Sequence, residues 1–218
     1  MDWFQKIFTK KEKVTLAEKE QISEPDLPVP FGYKTAWYAI KEESSLSVIE
    51  KLNLNIISEV NWKSGIEQTY YSDDVFVSPV VNGYILIINL IGMSENENHE
   101  RVKEHGKVLP ELQYFSSHRV VDYYAWAKFT GGKLLRFYSY LGGEGTLTQE
   151  GSITNEEEML GFNIFPQCDD FDSWSDKDWD NAVFPDEESV IKIAKLWGID
   201  PFFEDRDHDK GLGYVCKF

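Results

Sequence analysis

The chain of 218 residues carries 22 Lys and Arg against 38 Asp and Glu, a formal net charge of −16 and a pI near 4.6. At 42% hydrophobic and 15% aromatic residues it is too apolar for a disordered chain, and long enough to bury roughly 70% of its unfolded surface without disulfides or metal. The charge excludes sequence-independent binding to nucleic acid, which draws affinity from Lys and Arg on phosphate, and disfavours broad adhesion to anionic lipid.

The first segment, MDWFQKIFTKKEK, places Trp3, Phe4, Ile7 and Phe8 on one face of a short helix beside Lys6, Lys10, Lys11 and Lys13. Such a segment suits an anionic membrane surface, a partner, or a fold-back onto its own domain. It does not read as a secretory signal, because its apolar part is short and its lysines follow it. Residues 14–30 read as a linker ending in Pro25, Pro28 and Pro30, a spacing that favours extended backbone. Residues 1–30 are therefore expected to be a tail and linker, and residues 31–218 a single domain starting at Phe31.

Within the domain, Lys34–Ile40 predicts a strand and Ser44 or Ser45 caps a helix reaching Leu54. Residues Ile56–Val60 predict a short strand, and Trp62–Ile66 a turn around Gly65. Val75–Ile91 predicts a hairpin, since Asn82-Gly83 supplies the two positive-φ residues of a type I′ turn. Pro79 cannot donate to a ladder, so its arm is expected at an edge or bulge. The second arm, nearly continuous in apolar residues, is expected to be covered on both faces. Residues 94–117 predict an interrupted helix broken at Gly106, with a second short helix from Pro110. Val120–Phe129 and Lys133–Leu141 predict a second hairpin around Thr130-Gly131-Gly132. In this reading His118, Val120, Asp122, Tyr124 and Trp126 share one face.

Thr154 and Glu157 predict a capping box on a short helix that Gly161 ends. Residues 163–185 read as irregular. Asp186 caps a last helix with Val190, Ile193, Ala194 and Trp197 on one face, closed by Gly198 and Pro201. Strands and hairpins with inserted helices, lacking regular βαβ alternation, predict an α+β fold: a mostly antiparallel sheet with helices packed against it.

Several short motifs stand out: Phe31-Gly32-Tyr33-Lys34 with Trp37, Trp62 with Gly65, and Val75-Phe76-Val77-Ser78-Pro79 with Gly83-Tyr84. Others are His118-Arg119-Val120-Val121-Asp122-Tyr123 with Trp126, Leu141-Gly142 with Glu144-Gly145, and Trp197-Gly198-Ile199-Asp200-Pro201. Over roughly residues 31–201 this set resembles a family of uncharacterised bacterial cytosolic proteins. The resemblance implies a single domain and implies no activity, cofactor or site residue.

Two cysteines, Cys168 and Cys216, do not make a disulfide framework, and no apolar run reaches the roughly 18 residues needed to span a bilayer. A cytoplasmic protein with reduced thiols is expected. The best polar constellation is His118, Arg119 and Asp122, with Ser78 or Glu144 as completing groups from another hairpin. His118, Asp122 and Glu144 would serve a hydrolase-like site. On one strand, however, His118 and Asp122 would stand roughly 13 Å apart, beyond direct contact. The loop Gly142-Gly143-Glu144-Gly145 lacks the Lys and helix start of a phosphate loop. Asp205, Asp207 and Asp209 resemble a calcium loop, but its glycine falls at the seventh position and Cys216 stands at the twelfth. No metal and no cofactor are expected.

The charge itself is localised. Residues 144–209 hold 19 Asp and Glu against 4 Lys and Arg, a net −15 of the chain's −16. Within them Asp169, Asp170, Asp172, Trp174, Asp176, Asp178, Trp179 and Asp180 interleave acids with tryptophans. Aromatic anchors ringed by acids suit a basic protein partner, as in immunity and inhibitor proteins that cap basic domains. A non-enzymatic interaction module of that type is expected, with a hydrolase-like enzyme and a membrane-peripheral protein held by residues 3–8 as alternatives.

Overall fold

The described chain is built on one large sheet. The computed structural model describes residues 24–70, 72–90, 95–162, 175, 177, 183–204 and 207–218. Nine strands are present among them: β1 (Ala36–Ile40), β2 (Asn55–Asn61), β3 (Val75–Val77), β4 (Ile85–Ile88), β5 (Leu112–His118), β6 (Tyr123–Thr130), β7 (Lys133–Leu141), β8 (Gly145–Gly151) and β9 (Leu212–Lys217). They pair in the order β2-β9-β3-β4-β1-β5-β6-β7-β8, and every strand pairing is antiparallel. With five helices among the described residues set against this sheet, the fold is α+β, as the element order implied.

The sequence dictates a sheet covered on both faces. All residues of β1 and β4 are buried. Alternation sends Tyr38 and Ile40 to one core and Trp37 and Ala39 to the other. The first core is closed by α1 (Ser45–Lys51), through Val48 and Ile49, and by α3 (Glu95–Val108), through Val102. The second is closed by α2 (Trp62–Thr69) and α5 (Glu187–Leu196), through Trp62, Val190, Ile193 and Trp197. A fully buried side chain of this size contributes about 1.5–3 kcal/mol, so the two layers supply most of the stabilisation.

Several expectations hold. Asn82 and Gly83 have φ of 53° and 79°, the type I′ geometry of the β3–β4 turn. Thr154 and Glu157 form a reciprocal capping box on α4 (Asn155–Met159), and Asp186 with Ser189 forms another on α5.

Others are corrected, each by a packing contact or a ladder. Residues 62–66 are helical, since Asn61 caps α2 by accepting from the Ser64 amide, and Gly65 lets the Phe76 ring lie against the helix. Pro79 lies just beyond β3, and that strand is interior to the sheet, between β9 and β4. Gly106 does not break its helix: α3 runs through it, and the missing Cβ leaves the space that the Phe129 ring fills. Residues 112–118 are strand, with six of seven buried. The β6–β7 loop has only two residues, Gly131 and Gly132, because Thr130 pairs with Lys133. Residues 24–30 of the segment read as a linker contact the folded chain. Asp26 bridges Gly211 and accepts from the Trp62 and Lys63 amides, which ties residues 24–30 to the start of α2.

One ion pair joins three elements. Arg136 on β7 and Glu157 on α4 are both fully buried, with Arg136 Nε 2.8 Å from Glu157 Oε1. The same carboxylate accepts from Trp126 Nε1 on β6 at 2.9 Å and from the Thr154 amide at 2.8 Å. Removing one partner of a buried pair strands the other charge. Arg136→Met is therefore expected to lower stability in urea by about 3–5 kcal/mol, against about 1 kcal/mol for the cap variant Thr154→Ala. A loss no larger than that of the cap variant would show that the pair does not anchor α4.

Candidate functional site

Because the strands alternate in direction, the start of β1, the end of β5, the start of β6 and the end of β7 meet at one rim of the sheet. The pairings Ala36–Ser116, His118–Tyr123, Tyr124–Tyr140 and Leu141–Gly145 fix this. Residues 119–122 form the turn between β5 and β6, closed by the Val121 amide donating to the His118 carbonyl at 3.2 Å. His118 and Asp122 therefore flank a turn; they do not line up along one strand as expected. Asp122 ends the turn at φ 51°, a left-handed geometry that Asp tolerates better than most residues. Its carbonyl accepts from the Gly142 amide at 3.1 Å, and a Cβ on Gly142 would stand 2.7 Å from that of Asp122. The turn carrying Glu144 is thereby held beside the turn carrying Asp122.

The start of α5 reaches the same rim. Glu187 accepts from the Lys34 amide at 2.9 Å and from the Ser117 hydroxyl at 3.1 Å, and it pairs with Arg119 at 3.7 Å. The Tyr124 hydroxyl donates to Asp122 Oδ1 at 3.2 Å, and Glu187 and Asp186 also act on it through their charge. Burial, followed by these three carboxylates, pushes the Tyr124 hydroxyl up to about 12. Tyr140 is raised in the same sense by burial and by Asp122, and the Phe184 ring meets it edge-on at 6.3 Å. Apolar side chains are exposed beside these acids: Val120 at 73%, Val121 at 50% and Phe184 at 37%.

Next to this patch lies a groove of about 670 Å3. It opens between residues 30–35, the C-terminal end of α2, and the ends of β4 and β5. Phe31, Ile66, Ile88 and Phe202 contribute apolar wall, and Lys34 and His118 contribute polar groups. Asn89 holds the α2 side in place: its Nδ2 lies 2.6 Å from the Thr69 carbonyl, 3.1 Å from that of Ser72 and 3.0 Å from that of Asp74.

The rim thus gathers His118, Asp122 and Glu144 on neighbouring turns, but among the described residues no hydrogen bond or ion pair joins any two of them. Ser78 sits toward the other end of β3, where its hydroxyl donates to the Pro79 carbonyl and accepts from the Leu86 amide. Asp169, Asp170, Asp172, Trp174, Asp176, Asp178, Trp179 and Asp180 lie outside the described residues, as do Cys168 and the tail residues 3–8. Among the described residues no three His, Cys, Asp or Glu side chains are grouped to hold a metal ion, and no helix is long and apolar enough to cross a membrane. The groove was not legible in the sequence, because its wall comes from five separated stretches that no local spacing connects. The tyrosines of the patch were visible only as strand residues. No protein-family model, curated protein or solved structure matches the chain.

The carboxylates around Tyr124 disfavour its phenolate. Asp122→Asn should therefore lower the Tyr124 ionisation midpoint, read from its 13Cζ shift across an alkaline titration. An unchanged midpoint would show that Asp122 does not act on that hydroxyl.

Proposed function

We propose that this chain is a non-enzymatic protein-interaction module of immunity or inhibitor type, and that it binds a basic protein partner through the rim formed by the turns at 119–122 and 142–144 and the start of α5. The observation that carries this reading is the combination on one rim of exposed carboxylates with exposed apolar side chains. Asp122, Glu144 and Asp186 are open to solvent, and Val120, Val121 and Phe184 stand among them. Apolar anchors bury area in a complex, while surrounding charge steers the encounter and fixes register. The composition supports the same reading, since residues 144–209 carry nearly all of the net charge and lead directly into this rim at Phe184–Glu187. Asp169, Asp170, Asp172, Asp176, Asp178 and Asp180 add to the negative charge carried by this part of the sequence.

The hydrolase alternative gains no support from the rim, because His118, Asp122 and Glu144 are not linked to one another as nucleophile, base and orienter would be.

The test is affinity capture from source-cell extract at low salt, comparing the parent chain with the triple variant Asp122→Asn, Glu144→Gln, Asp186→Asn. The Asn at 186 keeps the α5 cap. A basic protein captured by the parent should bind the triple variant at least tenfold more weakly, with the loss concentrated in the association rate and erased by salt. Equal capture by both chains would refute the reading.

A further inference from the structure

The groove beside the rim has a composition opposite to that of the chain. None of the fourteen described residues that line it is Asp or Glu, although the chain holds 38 of them. Among the described residues, its ionisable groups besides tyrosine are Lys34 and His118. Among the described residues neither side chain has an ion-pair or hydrogen-bond partner, even with Glu187 close by. Glu187 is engaged with the backbone amide of Lys34, with Ser117 and with Arg119.

The position of Lys34 is built. Its backbone is left-handed at φ 51°, and its amide is held by Ser117 Oγ at 3.2 Å and by Glu187 Oε1 at 2.9 Å. His118 ends β5 opposite Tyr123, so its place is fixed by the ladder. The remaining wall is aromatic and aliphatic. Phe202 meets Tyr33 edge-to-face at 5.2 Å, and Phe31 packs edge-on against Trp37 at 5.1 Å. A volume of about 670 Å3 matches sites for small organic ligands, which run roughly 300–1,000 Å3 and combine apolar walls with a few placed polar groups.

We propose that this groove binds a small aromatic anion, with the ring system against Phe31, Tyr33 and Phe202 and the carboxylate or sulfonate at Lys34 Nζ and the His118 ring. Charge complementarity selects the anion: among the described residues, Lys34 and His118 have no partner and no acid stands in the wall. Aromatic walls select a ring, since offset and edge-on contacts add to simple burial. The groove adjoins the basic-partner surface and shares Val120 with it, but its test reads dye binding through Lys34 and His118, which the partner test leaves unchanged.

The probe is 8-anilinonaphthalene-1-sulfonate, titrated into the full chain and followed by fluorescence. The uncharged N-phenyl-1-naphthylamine serves as the neutral counterpart. The test variant is Lys34→Asn with His118→Asn, because Asn tolerates the left-handed backbone at position 34. The expected result is saturable one-to-one binding of the sulfonate, weakened about tenfold in the double variant, with the neutral dye changed less than twofold. Ile66→Trp, which fills the groove, should abolish binding of both dyes while thermal unfolding stays cooperative. Three results would overturn the proposal: no saturable site, equal sulfonate affinity in parent and double variant, or a neutral dye that binds as tightly as the sulfonate. The last would assign the groove to a purely apolar occupant.

Discussion

Coverage of the central sheet on both faces is the constraint from which the rest of the structure follows. β1 and β4 are buried along their whole length, and their alternate side chains feed two separate cores. Helices and connecting segments must therefore occupy both sides, and among the described residues the central strands meet a ligand-sized opening only at their ends, where Ile88 borders the groove. Surface with chemical character is left mainly at the strand ends and at the edge strands β2 and β8. The rim holding Asp122, Glu144 and Asp186 is such an end. Turns there are free to carry acids and exposed valines because they contribute little to either core.

Two kinds of polar contact keep that arrangement specific. Inside, the fully buried Glu157 is answered by Arg136, Trp126 and the Thr154 amide, which fixes a short helix of low intrinsic stability to β6 and β7. At the rim, Glu187 does the same for α5 by engaging the ends of β1 and β5. Each carboxylate converts a helix terminus into a defined position relative to the strands. The acids left outside these contacts, Asp122, Glu144 and Asp186, are the ones available to a partner, although Asp122 also accepts from Tyr124 and Asp186 also caps α5.

Legibility in the sequence followed the range of the interaction that decided each element. Asn82-Gly83, the Thr154–Glu157 box and the Asp186 cap are local devices, and each forms as read. Trp62–Thr69, Gly106 and residues 112–118 were misread because long-range contacts decide them. Gly65 and Gly106 looked like breakers, yet each is a gap filled by a phenylalanine from another element. β9 went unread although it pairs with both β2 and β3, because Leu212–Lys217 offers no local pattern beyond a short apolar alternation. The same reasoning explains the site. The charge asymmetry could be counted from the sequence. The meeting of His118, Asp122 and Glu144 at one rim, and the acid-free groove beside it, depend on registers that pair residues far apart in the chain.

The central claim is that the chain's acidity acts as a face at one rim of the sheet, where carboxylates stand among exposed apolar side chains. The most direct measurement is a nitrogen–proton chemical-shift titration of the full chain with an oligolysine peptide at low salt. The account predicts that shifts concentrate at residues 119–122, 142–144 and 184–188, and that exposed acids elsewhere, such as Glu50 and Glu100, move little. Shifts of equal size at Glu50, Glu100 and the rim would contradict it, and would reduce the charge to a general property of the surface.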